Sequence, residues 1–291
     1  MATVNDIQFH YDVDNAFYTL FLDREFRAYS CGVWDEATTL EDAQRAKIDR
    51  ICGFARIAPG ARVLDVGCGW GGLMERAIST HGARSAHGLT LSNDQLVHIA
   101  QHASPNVGAA LQSWQDHRPE QRYDAIASVG AFEHFVSRAE RLAGRQIDIY
   151  RNFFASCRRV STSHAWLGLQ TIVTARNPAT LQEARDARYL LDKVFPGSAL
   201  PAESDIHESS AGLYEVVDIR RIGKDYARTL ACWRERLVAQ RTVASERFGA
   251  TVVDHYVRYF DAAERSFESG VTDLVQVSMR PTQTSEAAPV A

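Results

Sequence analysis

Asp65-Val66-Gly67-Cys68-Gly69-Trp70-Gly71 is the stretch of sequence that decides the fold. A short apolar run at residues 62–66 predicts a buried strand before the glycines, and residues 71–81 carry a helical pattern after them. Glycines at the end of a parallel strand let the backbone pass close beneath a ligand, and the following helix offers free N–H groups to an anion. The stretch therefore predicts a strand–turn–helix unit that binds the anionic group of a ligand.

Similar apolar runs recur along the chain and predict further strands. Helix-like segments separate most of these runs, which is the alternation typical of a doubly wound parallel sheet. The predicted strands lie at residues 85–91, 123–129, 165–174, 213–222 and 271–279. A long helix is predicted between the last two strands, and its apolar face carries Tyr226, Leu230, Trp233 and Leu237. We therefore expect an α/β protein with a Rossmann-like core.

The rest of the chain is predicted to surround this core without forming a second one. Residues 1–60 are expected to be a helical cap, with helices at 15–22 and from Thr39 toward Phe54. Residues 61–280 form the Rossmann-like domain. The polar, helical stretch at about 176–212 is too long for an ordinary connection and is predicted to be a lid over the substrate. Residues 281–291, rich in Pro, Ser, Thr and Ala, are expected to be disordered.

Composition narrows the class of protein. The 291 residues carry a net charge of −4 and are 45% hydrophobic, which suits a globular domain and argues against nucleic acid as a partner. Five cysteines without CxxC spacing predict reduced thiols, with no disulfide framework and no metal site. Since no apolar run reaches the length of a membrane span, we expect a cytoplasmic protein with at most peripheral membrane contact. The oligomeric state does not follow from the sequence.

The glycine spacing alone leaves two classes of cofactor open. Gly67, Gly69 and Gly72 also satisfy the GxGxxG pattern of dinucleotide-binding enzymes, which need an acidic residue at the end of the second strand. The sequence there is Gly88-Leu89-Thr90-Leu91-Ser92, which has no such residue. Asp65, just before the glycines, suits a ligand that carries an ammonium group. S-adenosylmethionine (SAM) is therefore favoured over a dinucleotide, and the protein is predicted to be a methyltransferase.

Several separated segments resemble the cyclopropane fatty acid synthase family, which includes the mycolic acid cyclopropane synthases. They are His10-Tyr11-Asp12, Tyr29-Ser30-Cys31, residues 39–44, residues 65–72, Leu89 to Ser92 with Gln95, residues 130–134, and Asp225-Tyr226 with Thr229-Leu230 and Trp233. The resemblance covers most of the chain. It implies a class I methyltransferase fold, a mostly parallel seven-stranded sheet with helices on both faces, an N-terminal helical extension and a helical lid.

The resemblance also implies which residues form the site. Those implied to hold S-adenosylmethionine are Tyr29, Ser30, Asp65, Gly67, Gly69, Thr90, Leu91, Gln95, Trp114 and Val129. The family's reaction centre is a polar pocket for bicarbonate, implied here for Cys31, the Val129 backbone, Glu133 and Tyr226, together with a histidine on the fifth strand. Gln170 stands where the family has that histidine. Because glutamine cannot take up a proton near neutral pH, bicarbonate binding is in question.

This substitution shapes the predicted reaction. With a weaker base, C-methylation of an apolar alkene-containing small molecule or lipid (a specialised metabolite, an isoprenoid or an acyl chain) is favoured. The alternatives are cyclopropane formation on unsaturated fatty acyl chains and N-methylation of a small molecule. Glu133 is the candidate base or cation stabiliser, Tyr226 is expected to orient it, and Phe17, Tyr29 and Phe132 to shield a carbocation. The blander alternatives are that Glu133-His134 only ends a strand and that Cys31 is an ordinary buried thiol.

Overall fold

A computed structural model describes residues 15–283, and its strands and helices alternate over most of that length. The segment His10-Tyr11-Asp12 and residues 284–291 lie outside the described range. In chain order the helices are α1 (Asn15–Tyr18), α2 (Leu40–Phe54), α3 (Gly72–Ser79), α4 (Asn93–His102), α5 (Arg138–Leu142), α6 (Gln146–Val160), α7 (Leu181–Tyr189), α8 (Glu203–Ser210), α9 (Gly223–Ala239), α10 (Arg241–Phe248) and α11 (Ala250–Ser269). The strands are β1 (Arg62–Val66), β2 (Ser85–Thr90), β3 (Val107–Leu111), β4 (Tyr123–Val129), β5 (Ser161–Thr174), β6 (Tyr214–Arg221) and β7 (Thr272–Pro281).

The seven strands form one sheet in the order β3-β2-β1-β4-β5-β7-β6. All neighbouring pairs are parallel except those of β7, which runs antiparallel to both β5 and β6. The strand order reverses between β1 and β4, because the chain runs outward from β1 through β2 to β3 and then crosses to β4 on the other side of β1. In open α/β sheets, ligands bind at the carboxyl ends of the strands at such a reversal. The expected seven-stranded, mostly parallel sheet of a class I methyltransferase is confirmed.

Most strands lie where the hydrophobic pattern predicts them, and β4 has the predicted bounds. Strand β3 is missing from the sequence prediction. Its sequence, Val-Gly-Ala-Ala-Leu, has little apolar bulk, and none of its residues is fully buried, because it lies at the edge of the sheet. The hydrophobic pattern of a sequence indicates a strand through the side chains that the strand buries. An edge strand of small residues therefore has only a weak hydrophobic pattern.

The N-terminal part is less helical than predicted. Helix α1 ends at Tyr18 rather than at residue 22, and residues 19–39 form turns and extended chain. The buried Asp23 carboxylate accepts backbone N–H groups from Phe26 at 2.6 Å and Ala28 at 2.7 Å, and these bonds hold the turn that follows. Helix α2 begins as predicted, since the Thr39 hydroxyl accepts the Asp42 N–H and caps the first turn.

Two further regions bear on the site. The predicted lid region contains α7, a π-helical turn at Leu190–Val194, and α8. The single long helix predicted before the last strand is instead three helices, α9 to α11, and Gly249, with a φ of +92°, separates the last two. Within residues 15–283, none of the helices combines the length and the apolar character that crossing a membrane requires.

Candidate active site

A cavity of about 190 Å³ lies at the carboxyl ends of β1, β2 and β4. The glycine loop forms its floor, and Gly67 takes a φ of +82°, a conformation that side chains disfavour. A Cβ atom on Gly67 would lie 2.5 Å from the Cβ of Ala131, so only glycine fits between the two loops. The predicted cofactor residues line this cavity: Tyr29, Ser30, Asp65, Gly67, Gly69, Thr90, Leu91, Gln95, Trp114 and Val129.

The wall next to β2 replaces the acidic residue of a dinucleotide site with neutral hydrogen-bonding groups. The Thr90 hydroxyl donates to the Gln95 amide oxygen at 2.7 Å, and both side chains are buried. The Ser92 hydroxyl caps α4 by accepting the Gln95 N–H, which fixes the start of the helix. Trp114 closes another side, where its ring packs edge-on against Phe153 with centroids 5.5 Å apart. This wall offers polar contacts and an aromatic face to a nucleoside.

Charged groups lie deep in the same cavity. Asp65 is 2% exposed, and its Oδ1 atom has no hydrogen-bond partner among residues 15–283. Burial raises the pKa of the Asp65 carboxyl to about 7, and the nearby Lys47 opposes this shift. Lys47 was not predicted as a site residue. The sequence signal that could have identified it is a lysine on the apolar face of α2, where Ala43, Lys47 and Ile51 point inward. Lysine is almost never fully buried unless its charge is paired.

A second cavity, of about 270 Å³, is mostly apolar. Its walls come from α7, the π-helical turn, α9 and α11, and its apolar lining includes Leu190, Phe195, Leu230 and Phe267. The predicted lid region thus contributes one wall. His134 lines both cavities, which places them on either side of the loop that follows β4. Burial lowers the pKa of His134 to about 4, so this shared wall carries a neutral imidazole at neutral pH.

Glu133 and Tyr226 both line the second cavity, as their predicted roles require. Glu133 lies in a 3₁₀ turn at Phe132–His134 and is 4% exposed. The Thr171 hydroxyl donates to its Oε2 atom at 2.8 Å. Burial nevertheless raises the pKa of the Glu133 carboxyl to about 7, because the hydrogen bond does not replace the lost hydration. A carboxyl with this pKa can accept a proton at neutral pH.

The structure does not bring Cys31 and Gln170 to the wall of either cavity. Gln170 lies opposite Gln276 in the register of β5 and β7, and its Oε1 accepts the Gln276 amide at 2.7 Å. Its Nε2 faces the Cys31 carbonyl at 3.5 Å. The Cys31 thiol donates to the Gly32 carbonyl, and burial raises its pKa well above the usual range. Both side chains are engaged in hydrogen bonds inside the protein, and the direct roles predicted for Cys31 and Gln170 stay predictions.

This arrangement does not fit bicarbonate. The position that would supply a cation or a proton donor holds an amide whose oxygen is already paired with Gln276. Glu133 would repel an anion in the second cavity when it is ionised. The neighbouring thiol also donates to the backbone rather than into a cavity. We therefore derive no catalytic step through bicarbonate.

The structure brings one of the three aromatic residues of the predicted shield to the wall of these cavities. Tyr29 lines the first cavity, but Phe17 and Phe132 are fully buried in two separate hydrophobic cores and line neither cavity. Besides Tyr226, the aromatic residues Phe195, Tyr259 and Phe267 line the second cavity. They come from the lid region and α11, far from the motifs in sequence, so local patterns could not assign them.

The first cavity has a glycine floor and a neutral hydrogen-bonding wall that suits a ribose. A buried acid lies beside a separate apolar cavity. Together these features define the class of S-adenosylmethionine-dependent methyltransferases. Comparison with known proteins places the chain within that class. The family described as mycolic acid cyclopropane synthetase matches residues 1–277, and the chain belongs to this family.

Individual relatives agree over almost the whole chain. Cyclopropane mycolic acid synthase 3 of Mycobacterium tuberculosis is 32% identical, over 94% of this chain and 96% of its own. Methoxy mycolic acid synthase MmaA3 of the same organism is 31% identical, over 96% and 95%. The solved structure of mycolic acid cyclopropane synthase CmaA1 complexed with S-adenosylhomocysteine (SAH) and CTAB has a TM-score of 0.85 and 30% identity, over 95% of this chain and 98% of that one. The protein is an enzyme of this class, and its cofactor is S-adenosylmethionine.

Proposed function

We propose that the protein adds the methyl carbon of S-adenosylmethionine across a carbon–carbon double bond of a long apolar chain, forming a cyclopropane. The observation that carries the proposal is Glu133, a buried carboxylate on the wall of an apolar cavity that adjoins the cofactor cavity. The similar relatives favour ring closure over the C-methylation predicted first from the sequence. C-methylation is therefore retained as the second candidate.

The shape and lining of the second cavity support a lipid-like substrate. Leu190, Leu230 and Phe267 offer no hydrogen bonds, so they favour hydrocarbon over a polar group. CmaA1 was solved with CTAB, and a long alkyl chain of that kind suits a cavity with these walls. We propose that the segment at 176–212 acts as the lid, since Arg176, Leu191 and Phe195 line the cavity from outside the sheet.

The bound cofactor supplies an electrophilic methyl group on a sulfonium. The π electrons of the alkene form a bond to that carbon as the sulfur–carbon bond breaks, leaving a carbocation on the substrate chain. Glu133 then accepts a proton from the transferred methyl group, and the electrons of that C–H bond close the ring. Phe195, Tyr259 and Phe267 present ring faces or edges in the same cavity, and they stabilise the cation while excluding water.

C-methylation requires the same cation, and the two reactions differ only in which proton leaves. Gln170 favours this second candidate, because it stands where the family has a histidine. Glu133 is then the one base that determines which proton is removed. Loss of a proton from a neighbouring chain carbon would leave a methylated alkene. The two products have equal mass, so the experiment must distinguish them by isotope content.

The test uses S-adenosylmethionine with a trideuterated methyl group and unsaturated fatty acyl chains, with products analysed by mass spectrometry. Ring closure removes a proton from the transferred methyl, so a cyclopropane retains two deuterium atoms, whereas a methylated alkene retains three. Catalytic hydrogenation gives an independent check under mild conditions that reduce the alkene and leave the ring intact. Products with three deuterium atoms that take up hydrogen would replace the proposal by C-methylation. Labelling of amines but not of alkenes would replace both by N-methylation.

A further inference from the structure

Lys47 is buried without the partners that a buried ammonium group needs. It is 3% exposed, and among residues 15–283 its hydrogen bonding consists of one contact, from Nζ to the Ser30 hydroxyl at 3.0 Å. No carboxylate of that part of the chain lies within ion-pair distance of it. An ammonium group offers three donors, and a buried charge is costly unless it is paired. A second partner must come from elsewhere.

The surroundings of Lys47 indicate where that partner lies. Lys47, Ser30 and Asp65 all line the cofactor cavity. The Ser30 main chain is fixed by the buried Gln44, whose amide donates to the Ser30 carbonyl at 2.7 Å. Asp65 presents in the same cavity an oxygen that has no hydrogen-bond partner within the described part of the chain. A cation with spare donors and an anion with a spare acceptor therefore face one ligand space.

We propose that Lys47 and Ser30 bind the α-carboxylate of the methionyl moiety of S-adenosylmethionine, while Asp65 faces its α-ammonium group. Lys47 and Asp65 thus bind the two opposite charges at the amino-acid end of the cofactor, and Lys47 is a specificity determinant for the carboxylate. A carboxylate supplies the missing acceptor to Lys47, and an ammonium group supplies the missing donor to Asp65. This inference rests on the identity of the cofactor and is independent of the reaction proposed for the second cavity.

A purely structural role for Lys47 makes a different prediction. Lys47 interacts electrostatically with Asp23 and Asp65, and in a purely structural role it would do no more than balance their charges. In that case its removal would disturb the cavity as a whole and weaken every ligand to the same extent. A ligand that lacks only the carboxylate separates the two roles.

The test measures the Kd of SAH and of its decarboxylated analogue by isothermal titration calorimetry with the full-length protein. Wild-type protein is expected to bind the analogue at least about tenfold more weakly, because the analogue leaves Lys47 unpaired. Lys47→Met should weaken SAH binding by about ten- to a hundredfold while changing the Kd of the analogue by less than about twofold. Lys224→Met is the matched control, since Lys224 is an exposed lysine paired with Glu268, and it should change neither Kd.

Two results would overturn the proposal. One is equal weakening of both ligands by Lys47→Met, with the thermal melting of the variant showing that it is folded. The other is wild-type protein that binds the decarboxylated analogue as tightly as SAH, a measurement that requires no variant to fold. Both readouts are binding constants, so a failure of alkene alkylation would leave them unaffected.

Discussion

Replacing Glu133 by glutamine should lower activity and, at high pH, raise stability. The carboxyl is buried and its pKa is raised from 4.5 to about 7, a difference that corresponds to about 3 kcal/mol. A carboxyl with a raised pKa in the folded state favours folding below its unfolded pKa, and this contribution is lost as pH rises through 7. Above pH 7 the wild-type protein therefore carries a buried charge that Glu133→Gln removes.

The stability difference can be measured by urea unfolding of the cofactor-free protein at pH 5 and pH 8. We expect the free energy of unfolding of Glu133→Gln relative to wild type to increase by roughly 2.5 kcal/mol between these pH values. The cost of burying an amide in place of the carboxyl is the same at both, and the Thr171 hydroxyl can still donate to the amide oxygen. Glu268→Gln, at an exposed position, is the matched control.

The kcat of Glu133→Gln and its Kd for SAH are measured on the same variant. Loss of the general base should lower kcat by about 10²- to 10⁴-fold. The Kd of SAH should change by less than about twofold, because Glu133 does not line the cofactor cavity. In wild type, kcat/KM should rise with pH through about 7 as Glu133 ionises. A stability difference that is equal at pH 5 and pH 8, or a parallel loss of kcat and SAH affinity, would refute the reasoning.

Two further predictions concern the substrate cavity and bicarbonate. Leu230→Trp should fill part of the second cavity and lower kcat/KM for long-chain alkenes by at least about tenfold, with an unchanged Kd for SAH by calorimetry. Equal effects on chain and cofactor would contradict separate cavities. Turnover should be unaffected when bicarbonate is removed by degassing, because Gln170 is paired with Gln276. A loss of turnover that added bicarbonate restores would show that the anion binds after all.

The sequence was most informative where local chemistry decides the structure. The glycine loop, β1 and β4 follow from short apolar runs and from conformations that only glycine adopts easily. The absent acid at the end of β2 argued against a dinucleotide, and the cofactor is S-adenosylmethionine. Strand β3 was not predicted because it buries little, and α1 is shorter than predicted.

The chemistry of the site was harder to predict, because it depends on which way side chains point. Lys47 lies in an apolar stripe of α2, and only the approach of α2 to the glycine loop turns it into a cavity residue. The aromatic lining of the second cavity comes from α11 and the lid region, which the motifs do not include. A resemblance to a family assigns roles only to residues in the shared motifs. Lys47 and this aromatic lining lie outside those motifs.

Gln170 shows why a substitution cannot be interpreted from its own position alone. Opposed positions in an antiparallel pair bring their side chains together, and the register of β5 and β7 places Gln276 directly opposite Gln170. The two amides bond to each other, so the Gln170 side chain is engaged within the sheet. In the proposed reaction, the proton that decides between a ring and a methylated alkene passes to Glu133. We therefore expect the product to depend on where the cation forms relative to that carboxylate, and on how the proposed lid holds the chain.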